Sequence, residues 1–139
     1  MCGMISSVLA ATLLSCPGEV SEKAGWHCVV QEAGKPVYIP FEGYYESKGG
    51  RIESPKFELD KTADENAWYM FSFDAKCAVD GYWWVDVFGA DGKPLPDMNS
   101  RLYASDDWKH YDVVVSVQPG AVAAQLAFVT TKGVGVKDV

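Results

Sequence analysis

The stretch that decides the fold reads Trp68-Tyr69-Met70-Phe71-Ser72-Phe73-Asp74-Ala75. Its odd-numbered positions are aromatic or small and apolar, and they alternate with Met70, Ser72 and Asp74. Because successive side chains of a β-strand point to opposite faces, this period of two predicts a strand with Tyr69, Phe71, Phe73 and Ala75 turned toward a core. No stretch after residue 16 shows a convincing helical period.

Further strands are predicted on both sides of this stretch. They cover residues 28–30, 37–41, 51–59, 82–88, 108–117, 122–128 and 133–136. Asp91-Gly92 and Pro119-Gly120 are turn signals between them, and Pro55 indicates an edge strand or a bulge. Several short strands separated by Gly and Pro turns predict an all-β, antiparallel sandwich or barrel.

Composition limits the classes of function that the chain can serve. Its 139 residues fit one domain, and 48% hydrophobic residues are enough to fill a core. A formal net charge of -7 argues against a nucleic-acid partner, which requires a basic surface. Five Trp, seven Tyr and six Phe exceed what a small core needs, so we expect some of them at the surface for stacking.

The first sixteen residues carry no charge, and the apolar run Met4 to Leu14 ends in Leu13-Leu14-Ser15-Cys16. A run of this length is typical of a signal peptide and is too short to span a bilayer. We therefore predict a signal or lipoprotein leader over 1–16, with Cys16 as a possible lipid-bearing residue, and a secreted or cell-surface domain over 17–139. The alternative is a buried N-terminal helix.

Cys28 and Cys77 remain in the predicted mature domain. In an oxidising compartment they can pair, and otherwise they are expected as buried thiols. No C-x-x-C or Cys/His cluster is present, so the sequence predicts no zinc site.

Two segments in succession resemble a known family. Glu53-Ser54-Pro55-Lys56-Phe57-Glu58-Leu59 followed by 68–76 resembles the S-P-x-F-x-L … Y-x-L-S-F-x-A-K run of galactose-binding-like jelly rolls. Trp108-Lys109-His110-Tyr111 is similar to the W-x-x-Y of that family, and 134–139 resembles its closing strand. Lys137 stands where the family usually has an Asp, and by this resemblance the chain stops in mid-strand, as a truncated domain would.

The resemblance implies a fold, a function and a cofactor. These jelly rolls are common as non-catalytic carbohydrate-binding modules that accompany glycan-degrading enzymes, so the partners implied are a polysaccharide or glycan and a catalytic domain outside this chain. The family often holds a structural Ca²⁺ through carboxylate oxygens, and Glu42 and Asp138 match two of those ligand positions. Trp108 matches a position that is structural in the family, which implies a core residue.

Trp83 and Trp84 are adjacent in a predicted strand, so they face opposite sides of its sheet. Trp83 is in phase with the apolar Val85 and is expected in the core. Trp84 then lies on the outer face beside Tyr82 and Asp86. A flat ring beside groups that bind hydroxyls is suited to a sugar. The alternative is a Trp84 covered by a loop.

Other candidates for sugar contact lie outside this strand. Trp68 opposes Tyr69 in phase, so it can be an exposed ring or a plug at the strand start. Tyr44 and Tyr45 lie in a Gly-containing loop, where ordinary loop packing is the alternative. Arg101 follows Pro94 and Pro96 and is placed in a loop as a hydroxyl contact or a solvated charge.

Two other classes of function compete with sugar binding. One is a structural or protein-interaction sandwich on the cell surface, with its aromatic side chains buried. The other is an enzyme, but the sequence has no Ser-His-Asp order, Cys-His pair or nucleotide-binding loop. We therefore predict a binding module without catalysis, and the exposure of Trp84, Trp68 and Tyr45 distinguishes it from the structural alternative.

Overall fold

A computed structural model describes residues 12–39 and 50–139. The predicted positions Glu42, Tyr44 and Tyr45 lie outside the described residues. The described strands are β1 (His27–Glu32), β2 (Lys35–Ile39), β3 (Gly50–Glu53), β4 (Phe57–Glu58), β5 (Ala67–Cys77), β6 (Gly81–Gly89), β7 (Pro94–Leu102), β8 (Ser105–Val117), β9 (Ala121–Thr130) and β10 (Val134–Lys137). Across these ranges no helix is long and apolar enough to cross a membrane.

The strands form two antiparallel sheets that pack into a sandwich. The large sheet has the order β2-β1-β3-β9-β6-β7, with β4 also paired to β9. The small sheet has the order β10-β5-β8. The antiparallel β-sandwich of the jelly-roll type that the sequence predicted is therefore confirmed.

Aromatic side chains join the two sheets in the core. Phe73 of β5 is fully buried, and its ring stacks on Tyr111 at 4.9 Å and meets Phe128 of β9 edge-on at 4.8 Å. Trp83 of β6 is 8% exposed and meets Phe71 edge-on at 5.5 Å. The period of two therefore predicted the core faces of β5 and β6 correctly, because large apolar side chains leave water with a gain of about 25 cal/mol per Å².

The break at Pro55 separates β3 from β4, which both pair with β9. Ser54 is fully buried at this break, and its backbone N–H donates to the Leu126 carbonyl at 2.9 Å. The Leu126 N–H in turn donates to Ser54 Oγ at 2.9 Å. A serine side chain thus replaces a backbone partner where the proline interrupts the ladder, and the predicted irregularity at Pro55 is confirmed.

The segment after Pro94 was wrongly predicted as a loop, since it forms β7 at an edge of the large sheet. An edge strand tolerates proline because one side of its backbone needs no ladder partner. The register with β6 shifts between Val85 and Val87, which accommodates the prolines. Arg101 therefore lies on a strand, directly opposite Tyr82.

The end of the predicted leader packs against the sandwich. Cys16 is 5% exposed, its N–H donates to the Val139 carbonyl at 2.8 Å, and Val139 N–H donates back at 3.1 Å. Leu13 and Leu14 are partly buried against the same core. Because Cys16 is buried, a lipid on its Sγ would require the segment around Cys16 to detach from the sandwich. The leader over 1–16 stays a prediction.

The two cysteines of the predicted mature domain are both buried. Cys28 belongs to β1 of the large sheet and Cys77 to the end of β5 in the small sheet. Cys77 is a free thiol that donates to the Tyr103 carbonyl at 3.4 Å, and burial raises its pKa above the ordinary value. Cys77 thus matches the buried-thiol alternative.

Candidate functional site

Trp84 lies half-buried on the outer face of the large sheet, opposite in direction to Trp83. Its neighbours across the strands are Asn99 of β7 on one side and Ala127 of β9 on the other. Tyr82, two residues earlier on the same face, is 43% exposed and lies opposite Arg101. Two aromatic rings, an amide and a guanidinium therefore share one surface, as the alternation in β6 predicted for the rings.

An ion pair crosses β9 beside Trp84. Arg51 of β3 contacts the Asp86 carboxylate of β6 through Nη2, and β3 and β6 pair with β9 on its opposite sides. The Arg51 side chain must therefore extend over β9. This explains why Ala127, a small residue on the outer face between these strands, is fully buried.

Two further side chains hold this ion pair in place. Arg51 Nε donates to Glu53 Oε1 at 2.9 Å, and both residues lie on the same face of β3. Gln125 Nε2 donates to the Ser54 carbonyl at 2.7 Å and approaches Glu53 Oε2 at 3.5 Å. The polar groups are thus fixed by one another before any ligand arrives, which lowers the entropy that binding would cost.

We call this surface the Trp84 face. It comprises Tyr82, Trp84, Asp86, Asn99, Arg101, Arg51, Glu53 and Gln125. Its rings offer flat apolar area, while its guanidinium, amide and carboxylate groups offer paired donors and acceptors at the edge of that area. Such an arrangement suits a ligand that has an apolar face and a rim of hydroxyl groups.

Arg51, Glu53 and Gln125 were missed by sequence reasoning. The alternation Arg51-Ile52-Glu53 places both charged side chains on one face of a strand, and this pattern could have marked them as surface candidates. The signal did not show that β9 would separate β3 from β6, because that order is set by long-range pairing.

Trp68 does not join the Trp84 face. It is 72% exposed on the outer face of the small sheet, so the two sheets of the sandwich separate it from Trp84. The predicted set is therefore divided. Trp84, Asp86, Tyr82 and Arg101 come together, Trp68 stands apart, and Tyr44 and Tyr45 lie outside the described residues.

Trp108 was wrongly assigned to the core. It is half-buried on the outer face of the small sheet, where the ammonium groups of Lys76 and Lys137 lie 4.8 and 4.6 Å from its ring centroid. The indole is thus held by cation–π contacts on the outer face, and not by apolar packing between the sheets.

His110, next to Trp108 on the same face, is held between two carboxylates. Its Nδ1 lies 2.7 Å from Asp74 Oδ1 and its Nε2 lies 3.0 Å from Asp112 Oδ1. Contact with Asp74 and then with Asp112 raises the pKa of His110 above its usual 6.5. Both ring nitrogens donate at once only in the imidazolium, so these contacts favour the charged form.

The implied calcium site is represented among the described residues by Asp138 alone, because Glu42 lies outside them. Asp138 Oδ1 accepts a hydrogen bond from the Gly18 N–H at 2.7 Å. Over 12–39 and 50–139 no group of three or more His, Cys, Asp or Glu side chains is arranged to hold a metal ion. Calcium thus stays a prediction of the resemblance.

Comparisons with known proteins concern the fold. No protein-family model and no curated protein matches the chain. The enzymatically active domain of tailspike protein 4 from bacteriophage CBA120 superposes with a TM-score of 0.58 at 13% identity, covering 71% of this chain but only 15% of that one. A family 29 carbohydrate-binding module from Piromyces equi superposes with a TM-score of 0.50 at 11% identity, covering 94% of this chain and 89% of that one. The chain thus spans a small part of the tailspike domain and most of the module, and it shares the β-sandwich fold of that module.

Proposed function

We propose that this chain is a non-catalytic module that binds a polysaccharide or glycan on the Trp84 face. The observation that carries the proposal is the Arg51–Asp86 ion pair fixed beside the half-buried indole of Trp84. A pyranose presents axial C–H groups to a flat ring and equatorial hydroxyls to the polar groups around it, and this face offers both.

The charges of the face favour a polyhydroxylated ligand over an apolar one. Each of Arg51, Asp86 and Glu53 already has an oppositely charged partner, and the Arg51 and Asp86 side chains are 27% and 21% exposed. Such groups keep spare donor and acceptor positions for neutral hydroxyls. An apolar ligand would remove these groups from water without replacing the lost hydrogen bonds, at a cost of about 1–3 kcal/mol for each buried group.

The likeness to the family 29 carbohydrate-binding module supports the proposal, because that module shares the fold over nearly the whole chain. We further propose that the chain is exported and acts as an accessory to a glycan-degrading enzyme, which it holds near its substrate. The uncharged first sixteen residues are the support for export.

The direct test is a glycan array probed with the protein, with its folding checked beforehand by circular dichroism. We expect binding to one class of neutral or weakly charged glycan. A parallel array in EDTA tests calcium, and loss of binding there would show that the ion supports the site. Silence on every glycan from the folded protein would contradict the proposal and favour the protein-interaction alternative.

A further inference from the structure

The exposed edge of β8 is the second surface with a distinctive chemistry. In the part of the chain that the structure describes, β8 pairs with β5 alone, so its other side is an open sheet edge. It runs for 13 residues, from Ser105 to Val117. Unpaired N–H and C=O groups along such an edge accept another strand, unless charges or prolines prevent the approach.

The charges on β8 protect only its first part. They are Asp106, Asp107, Lys109, His110 and Asp112. From Val113 to Val117 the strand carries no charge. Its final part is therefore an edge that lacks the features with which proteins usually prevent strand addition.

An apolar patch lies on the outer face beside this unprotected part. Val114 is 62% exposed, and Met70, its direct partner on β5, is 72% exposed. Trp68, two residues before Met70 on the same face, is also 72% exposed. Exposed apolar side chains that adjoin one another mark an interaction surface more often than single ones do.

We propose that β8 pairs with β8 of a second copy of this chain, antiparallel, about a two-fold axis at Val114. An isologous contact places each residue opposite its symmetry-related position. The pairs are Val114 with Val114, Val113 with Val115, Asp112 with Ser116, and Tyr111 with Val117.

This register is favoured by charge and by the exposed apolar side chains, since it brings the two copies of Val114, each 62% exposed, together at the axis. It sets no like charges opposite each other, and it places Asp112 opposite the uncharged Ser116. An axis at Asp112 would oppose two carboxylates, which destabilises a strand pair. An axis at Val115 would pair only the five residues from Val113 to Val117 of β8, against seven for the axis at Val114. An axis at Val113 would set each exposed Val114 opposite the Asp112 carboxylate of the other copy.

The symmetry has a consequence that rests on the proposed function. A two-fold axis perpendicular to a continuous sheet keeps equivalent faces on the same side. Both Trp84 faces of the dimer would then point in one direction and could bind the same polysaccharide surface. Two linked sites of this kind can raise overall avidity by about 10²- to 10⁴-fold.

Sedimentation equilibrium without any glycan tests the dimer separately from sugar binding. Between about 1 and 500 µM, which covers the affinities expected of weak to moderate homodimers, we expect the mass to rise from one chain to two. Val114→Lys places two ammonium groups at the axis and should leave a monomer. Tyr38→Lys, a control at a 64% exposed position of the large sheet, should dimerise like the wild type.

Disulfide formation tests the register. Val114→Cys should cross-link under mild oxidation, since opposed Cα atoms in an antiparallel pair lie about 4.5–5.5 Å apart. The control Met70→Cys is equally exposed, but the two copies of Met70 would be three strand spacings, about 14 Å, apart and should not cross-link. A monomer at every concentration, a Val114→Lys variant that still dimerises, or equal cross-linking of both cysteine variants would overturn the proposal, whatever the glycan array shows.

Discussion

Replacing Ser54 with alanine should destabilise the sandwich by more than the loss of one hydroxyl suggests. Ser54 is fully buried, and its Oγ is the acceptor for the N–H of Leu126, itself only 4% exposed. Ser54→Ala leaves that N–H and the Pro55 carbonyl, which accepts from Ser54 Oγ at 2.8 Å, without these partners. A buried donor that loses its partner costs about 1–3 kcal/mol, while the missing oxygen leaves only a small cavity.

We therefore expect Ser54→Ala to lower the free energy of unfolding by about 2 kcal/mol and the melting temperature by about 6–8 °C. Urea unfolding followed by tryptophan fluorescence measures this, with an unchanged m-value if only the native state is affected. The control is Ser116→Ala, at a half-exposed hydroxyl whose contact to Asn66 is 3.4 Å long, which should change stability by less than about 0.5 kcal/mol. Equal stability of Ser54→Ala and the wild type would refute the account of the β3–β4 break.

Two further predictions concern the outer face of the small sheet. An NMR titration should place the pKa of His110 above 6.5, and Asp112→Asn should lower it. Because the pKa of His110 is raised in the folded state, its contacts with the two carboxylates stabilise the fold below pH 6.5, and this stabilisation is lost as the pH rises through the folded pKa. An unshifted pKa of His110 would contradict the two-carboxylate contact. Trp108→Ala should lower the free energy of unfolding by about 1–2 kcal/mol, and the core substitution Phe73→Ala should lower it by about 3–5 kcal/mol, both measured by urea unfolding. Equal losses would show that Trp108 is a core residue after all.

The alternation of side chains predicted local orientation well. It predicted that Phe73 and Trp83 face the core and that Trp84 faces outward, because the side of the sheet on which a side chain lies depends only on its position in the alternation. In β8, Trp108 lies three residues before Tyr111, so the same alternation puts the two side chains on opposite faces. The assignment of Trp108 to the core came instead from the family resemblance, and the structure shows that the phase was the better guide.

The division of the predicted site could not be read from the sequence. Trp68 and Trp84 each face outward, but β5 and β6 belong to different sheets, and sheet membership is set by long-range pairing. The same pairing order brings Arg51 to Asp86 across β9. β7 was missed for a local reason, since Pro94 and Pro96 are typical of a loop and only an edge position tolerates them in a strand.

The most direct test of sugar binding on the Trp84 face is calorimetric titration of Trp84→Ala and Trp68→Ala with a soluble oligosaccharide of the glycan class that binds. Each substitution removes one indole, and the two lie on the outer faces of opposite sheets. We predict that Trp84→Ala weakens binding by about 30- to 100-fold, or roughly 2–3 kcal/mol, and that Trp68→Ala binds like the wild type. Unchanged affinity of a folded Trp84→Ala, or a loss confined to Trp68→Ala, would contradict the account.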